Sequence, residues 1–406
     1  MTLASSSLTQ VTCIAESTFG VIPVTGNAKK LRITGESLDF QITKESSKEL
    51  NDSRTTSAVT STGASASGGI QAEMSYHEYD ELLAATLQST WTAFGTNGVS
   101  ATAVITFTAT TLTASIATAG TSDWSTLAKG QWFLVNAGVD ANNGKLLRVS
   151  TSVAPTDTVI TLSTATPAVI SASVAGCTIA TSRLTHGTTQ SSFTIQRANA
   201  DVSQYMAYAG MTPSKFSINV ATAAMTTLSF DFMGKDATRD GTTQMPGTDI
   251  ASHTHEVHSG VTGSSCILWE GGAPITGTYV KTLALNFDNS LRAQGAICSL
   301  GAVGIGSGTI VLGGSLSVYF ADGSLFDKFK ANTNSSISFS SLDSSGNGYV
   351  FTVPVANISS WKTTAGGKDQ DMMVDVQFTG LRDASNATAA LQKAIFVDRV
   401  GVATTA

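Results

Sequence analysis

The sequence predicts a mainly β protein: two duplicated β-sandwich or barrel units, each with a short helix, plus a small β-domain inserted in the first. Three observations lead there. Apolar residues make up 42% of the 406 positions and charged residues only 13%, against a usual charged share of ~25%. The polar surface must then come from Ser, Thr, Asn and Gly, which suit strands and turns better than helices. Several runs alternate apolar and polar residues with the period of a half-buried strand. The order of those runs also repeats along the chain.

Taken in order, Leu31 to Phe40 opens the pattern, with Leu31, Ile33, Leu38, Phe40 and Ile42 alternating against polar neighbours. Lys44 to Gly69 turns hydrophilic and has few apolar anchors, so it is expected to be a long hairpin unable to order itself alone. Ile70, Ala72, Met74 and Tyr76 share one face of a second strand. Tyr79, Leu82, Leu83 and Leu87 then fall on one stripe of a short helix that Trp91 closes. From Gly95 to Gly187 the chain is rich in Thr and Ala, with strand-like runs at Ala103 to Phe107, Trp132 to Val135, Leu146 to Val149 and Val159 to Leu162. Asn142-Asn143-Gly144 supplies a hairpin turn between two of them. Alternation resumes at Ser192 to Arg197, Tyr205 to Gly210, Lys215 to Val220 and Leu228 to Asp236.

The second half repeats this order. Thr282 to Phe287 echoes the first strand, and Asp288 to Gly308 the long hairpin. Leu316, Val318 and Phe320 stand for Ala72, Met74 and Tyr76, and Leu325 to Phe329 for the helix. Ile337 to Ser340 matches Phe193 to Gln196, Tyr349 to Val355 follows as the stretch after Tyr205 does, and Val374 to Asp383 matches Leu228 to Asp236. Five elements in one order indicate duplication. The expected division is 1–95 with 190–240 as a first, discontinuous domain, 96–189 as the insertion, 241–274 as a linker and 275–406 as the second domain.

The formal net charge is −6, from 29 acidic and 23 basic residues. No Lys/Arg cluster offers the positive surface that nucleic-acid binding needs. Cys13, Cys177, Cys266 and Cys298 show no CxxC spacing and read as apolar fillers of a reducing compartment. Met1 to Gly20 lacks the basic-then-apolar pattern of a secretory leader. No run approaches ~18 apolar residues, so no membrane helix is expected.

Chemistry finds little purchase. His253-Thr-His-Glu-Val-His258 could turn three imidazoles, His253, His255 and His258, toward a metal ion. The spacing is not the helical HExxH, and a solvated polar loop is the favoured reading. Gly301 to Gly308 approximates a dinucleotide-loop spacing, but such a loop must follow a parallel strand and open a helix. A hairpin tip is favoured there. His77 and His186 stand without a recognisable nucleophile. No catalytic or cofactor-binding residue is assigned, no cofactor is expected, and the chain is not expected to be an enzyme.

The chain resembles the tail tube (major tail) proteins of long-tailed, siphovirus-type bacteriophages. Leu31 to Phe40, Ser46-Ser-Lys-Glu49, Arg54, Gly68 to Tyr76, Tyr79-Asp-Glu-Leu-Leu83, Trp91, Phe193-Thr-Ile-Gln-Arg197 and the Tyr208-Ala-Gly210 turn carry the resemblance. It implies stacked rings around a channel that conducts double-stranded DNA without binding it specifically. Duplication implies trimeric rings with pseudo-sixfold symmetry, a hexamer being the alternative. Tail terminator, tape measure and distal tail proteins are the implied partners, and no membrane. The implied location is the virion tail, assembled in the host bacterial cytoplasm, with the inserted domain on the tube exterior. Ring-stacking hairpins are assigned to Lys44, Glu45, Lys48, Glu49, Asp52 and Arg54 in the first half and to Arg292 and Gln294 in the second. A surface adhesin or carbohydrate-binding β-protein would share the composition, and another tail or baseplate structural protein is a nearer alternative. The duplicated hairpins and sparse exposed aromatics favour the tube.

Overall fold

A computed structural model describes residues 3–92, 104–115, 124–137, 140–163, 168–260, 267–275, 279–321, 323–384 and 392–401. The expected insertion boundary at Gly95, the start of its first run at Ala103, and Cys266 lie outside the described residues.

The fold is mainly β. The chain runs β1 (Gln10–Ala15), β2 (Asp39–Ser46), β3 (Val59–Glu73), α1 (Asp80–Thr86), the insertion, β4 (Phe193–Asn199), β5 (Gln204–Ala221), β6 (Thr227–Gly234) and β7 (Asp236–Asp240). The second half follows as β8 (Val280–Asp288), β9 (Val311–Tyr319), α2 (Ser324–Lys330), β10 (Ser335–Leu342), β11 (Gly348–Ala365), β12 (Met372–Leu381) and β13 (Phe396–Val400). Alternation decides which face each strand buries. Leu228, Phe230 and Phe232 of β6, and Val374, Val376 and Phe378 of β12, are buried while their neighbours face outward. Helix α1 buries Leu82 and Leu83 in the same core, and Asp80 and Glu81 suit its N-terminal dipole.

The two halves share one pairing scheme. In the first, β2 pairs with β3, β3 with β6, β6 with β5 and β5 with β4. In the second, β8 pairs with β9, β9 with β12, β12 with β11 and β11 with β10. All of these pairs are antiparallel. The long strands β5 and β11 each have 18 residues. Both carry a register shift on the side facing β6 or β12, between Pro213 and Lys215 and between Ile358 and Ser360. Such a bulge bends and twists a strand, so each long strand pairs in one neighbourhood before the bend and another after it. These shifts align Ser214 with Ser359, Gly234 with Gly380 and Phe40 with Phe287. They also set Leu316 beside Ile70 and Ile337 beside Ile195, two residues from the sequence-based matches.

The halves join through β5 and β8, antiparallel from Lys215↔Asp288 to Ala221↔Thr282. The result is one eight-stranded run, β2-β3-β6-β5-β8-β9-β12-β11.

The first strand departs from expectation. Leu31 and Leu38 are buried as anticipated, but continuous pairing starts only at Asp39, after a short Gly35–Glu36 strand. Gly68 explains the interruption. Its φ is +135°, and an added Cβ would stand 2.3 Å from the Ser37 carbonyl oxygen. The expected hairpin is present, but pairing extends as far as Ser46↔Val59, so only 47–58 form its tip.

Two small sheets make up the insertion. Val104–Phe107, Thr111–Ser115, Val159–Thr161 and Ala172–Ala175 form one, and Trp132–Asn136, Leu146–Arg148 and Thr178–Ala180 the other. They enclose their own core around Ile105, Phe107, Trp124, Phe133 and Ile160. The Asn142-Asn143-Gly144 turn connects two strands of the second sheet, with Gly144 at φ +72°. The opposite face of that sheet packs Trp132 edge-on against Trp269, centroids 4.8 Å apart. Ser182–Thr185 then pairs with β13, and Leu268–Glu270 with β10. At this seam Arg183 makes a buried two-pronged ion pair with Asp398, 2.6 Å from Nε to Oδ1 and 2.7 Å from Nη2 to Oδ2. The Trp132 amide donates to the same carboxylate at 3.0 Å.

Gly68→Ala is expected to destabilise the protein by at least ~2 kcal/mol, since a left-handed backbone and a backbone collision coincide there. Urea unfolding of the variant measures this, and an unchanged midpoint refutes the close-approach explanation.

Candidate functional site

Among the described residues, the feature with a consistent chemistry is the eight-stranded run. One face is apolar. Phe216 and Phe287 stack across the β5–β8 junction at 5.4 Å and 14°, with Ile218 and Leu285 beside them, all buried. Because partners in an antiparallel ladder share a face, the other face can be read rung by rung. Asp231, Lys215 and Asp288 occupy one rung; Ser229, Ser217 and Asn286 the next; Ser317, Asp375 and Lys362 a further one. This face therefore carries Asp39, Glu73, Asp231, Asp288 and Asp375 beside Lys215 and Lys362. It forms an open trough of about 610 Å³ lined by Lys215, Asp231, Asp288 and Gln377 among others. Lys215 reaches Asp288 at 3.0 Å, and that hydrogen bond and charge raise its ammonium pKa. At this exposure the pair contributes little stability.

Both hairpins project from the run. Lys44 and Glu45 lie exposed on β2, and Lys48, Glu49, Asp52 and Arg54 lie exposed on the tip. Asn51 organises that tip: its Nδ2 donates to the Thr55 carbonyl at 2.6 Å, and its Oδ1 accepts from Ser53 Oγ at 3.0 Å. Leu50 is 99% exposed at the apex. In the second hairpin Arg292 and Gln294 pair with Gly306 and Gly304. The two hairpins touch where the Ala64 amide donates to the Leu300 carbonyl at 2.8 Å. Ile297 near the second tip is 97% exposed.

The histidines separate into two environments. His253 and His255 stack at 5.8 Å and lie beside His77. His258 turns into the core, where its Nδ1 pairs with Ser341 Oγ at 3.0 Å. The three side chains proposed from spacing are thus not brought together, and no grouping of three or more metal-type ligands occurs among the described residues. His77 instead bonds Asp80 through Nδ1 at 2.7 Å. Asp80 also accepts from Tyr349 and Arg399. Burial alone would raise its carboxyl pKa, but the His77 hydrogen bond and the Arg399 charge outweigh that and hold it below the usual value. This clamp fastens α1 to β11 and β13. Of the Gly301 to Gly308 run read as a hairpin tip, Gly304 to Gly306 form the return strand of the second hairpin, and the tip itself lies at 295–303.

The polar face and its lysines escaped sequence reasoning. The signal was present in the polar positions of the alternating strands, but only strand order shows that they line one surface.

Burial lowers His258 from 6.5 to about 4, and His186 from 6.5 to about 4. The unfolded chain then takes up protons first, so their contribution is lost as pH falls from about 6.5 toward 4. Asp80 acts in a separate window, its contribution being lost only as pH falls through the carboxylate range. His258→Gln is expected to remove up to about 3 kcal/mol of the stability change between pH 7 and 4. Urea midpoints across that range test it; an unchanged slope refutes the assignment.

A family model described as phage tail tube protein matches residues 6–380. No curated protein matches the chain.

Proposed function

Since the chain belongs to the phage tail tube protein family, and so has a structural role in the virion tail, we propose that it polymerises into stacked rings whose bore conducts double-stranded DNA in a siphovirus-type tail. The observation that carries this reading is the eight-stranded run with one apolar and one polar face. Its two four-stranded units are related by a repeat, and three copies of the chain would supply six such units. The polar face is the natural bore lining. Its five carboxylates and two lysines leave net negative charge toward a phosphate backbone, which disfavours lasting contacts.

Rings made this way stack head to tail, a heterologous contact that repeats without closing. The hairpins bearing Lys44, Glu45, Lys48, Glu49, Asp52 and Arg54, and Arg292 and Gln294, are the stacking elements. Their tips carry Leu50 and Ile297, apolar side chains exposed to solvent in the single chain. The domain division 1–95 with 190–240, 96–189, 241–274 and 275–406 accompanies this reading, with the insertion outside the tube. Tail terminator, tape measure and distal tail proteins are the expected neighbours, and assembly takes place in the host cytoplasm. No described helix is long and apolar enough to cross a membrane.

Negative-stain microscopy of the purified chain is expected to show hollow rings or tubes with three copies per ring. A persistent monomer at high concentration refutes the reading. Replacing 47–58 with a two-residue turn is expected to leave rings intact and reduce tube length at least tenfold. Unchanged tube length removes the stacking role of that tip.

A further inference from the structure

The repeat is closed inside the chain on one side and open on the other. The outer edge of β5, residues 215–221, is covered by β8. The equivalent edge of β11 has no strand partner among the described residues, and neither does the outer edge of β2, the strand equivalent to β8. Two unpaired edges on a long run invite pairing with another chain. We propose that β11 of one copy pairs antiparallel with β2 of the next, repeating the β5–β8 register; this rests on the ring reading and specifies its seam.

The register follows from the internal alignment. Ser214 corresponds to Ser359 at the bulge, and Phe287 to Phe40 through the ladders of β9 and β3. Carrying Phe216↔Phe287 across gives Trp361↔Phe40. Carrying Ser217↔Asn286 and Asn219↔Ala284 gives Lys362↔Asp39 and Thr364↔Ser37.

Two independent features fit this alignment. Trp361 meets Phe40 where the internal junction stacks Phe216 on Phe287, and both Trp361 and Phe40 are only partly buried in the single chain. Lys362 meets Asp39; both are exposed, neither makes an ion pair among the described residues, and opposite charges directly across two strands favour pairing. The helices add a third sign. Leu82, the third residue of α1, is 1% exposed, whereas Phe326, the third residue of α2, is 41% exposed and packs on Trp361 at 5.7 Å. The apolar surface covered at the internal junction is bare at the open end.

Cysteines read the register directly, because opposed residues across antiparallel strands have Cα separations that suit a disulfide. In a Cys298→Ser background, Ser37→Cys with Thr364→Cys is expected to yield covalent oligomers on oxidation. Copies carrying one substitution each, mixed before assembly, should yield linked dimers only. Ser37→Cys with Ala365→Cys, shifted by one residue onto opposite faces, should not link. If the first pair hinders assembly, Gln41→Cys with Ser360→Cys probes the same register. Rings visible by microscopy without these links, or with the shifted pair linked, overturn the register and leave the ring reading standing. A parent chain that stays monomeric and never links overturns both.

Discussion

The fold depends on the need of a β-sheet edge for a partner. Each half ends its four-stranded unit in unsatisfied backbone groups, and the chain answers this once, by laying β8 along β5. That pairing makes two units one surface, brings Phe216 onto Phe287, and aligns the polar positions of eight strands on a common face. Without it the halves would be separate sandwiches, and no continuous polar face would exist.

Buried charge ties the remaining parts to this surface. Arg183 and Asp398 bring the insertion's exit strand against the last described strand of the chain, while Asp80 draws α1, Tyr349 and Arg399 together. Removing one member of such a pair leaves a buried charge uncompensated, typically at ~3–5 kcal/mol. These clamps therefore fix position as much as they stabilise. They lie at seams between sequence-distant elements, where side-chain packing alone would permit sliding.

Much of the architecture was legible in the sequence because period-two alternation is a local signal. Leu228 to Asp236 and Val374 to Asp383 announce their strands and their kinship within a few residues, and the Leu82–Leu83 stripe announces the helix. The failures share a cause. Leu31 to Phe40 alternates well, yet the close approach of Gly68 to Ser37 breaks the pairing, and that collision is between residues far apart in sequence. The two-residue offsets in the repeat arose because an alternating pattern matches itself equally well when slid by two residues, and only the ladder pairing fixes the register. The strands at Ser182–Thr185 and Leu268–Glu270 are short, and only their partners in the second half make them strands. A solvated loop is the favoured sequence reading of His253 to His258, but backbone direction sends His258 into the core and leaves the other two beside His77. The polar face needed strand order, which composition does not encode.

The two bulged strands have a mechanical meaning. Each runs unbroken for 18 residues, roughly 60 Å of extended backbone, beginning in the layer that holds β4 or β10 and ending in the layer of the eight-stranded run. A single beam thus belongs to both layers. Pressure applied to one layer is delivered along covalent backbone to the other, so the two shift as one body and do not slip past each other.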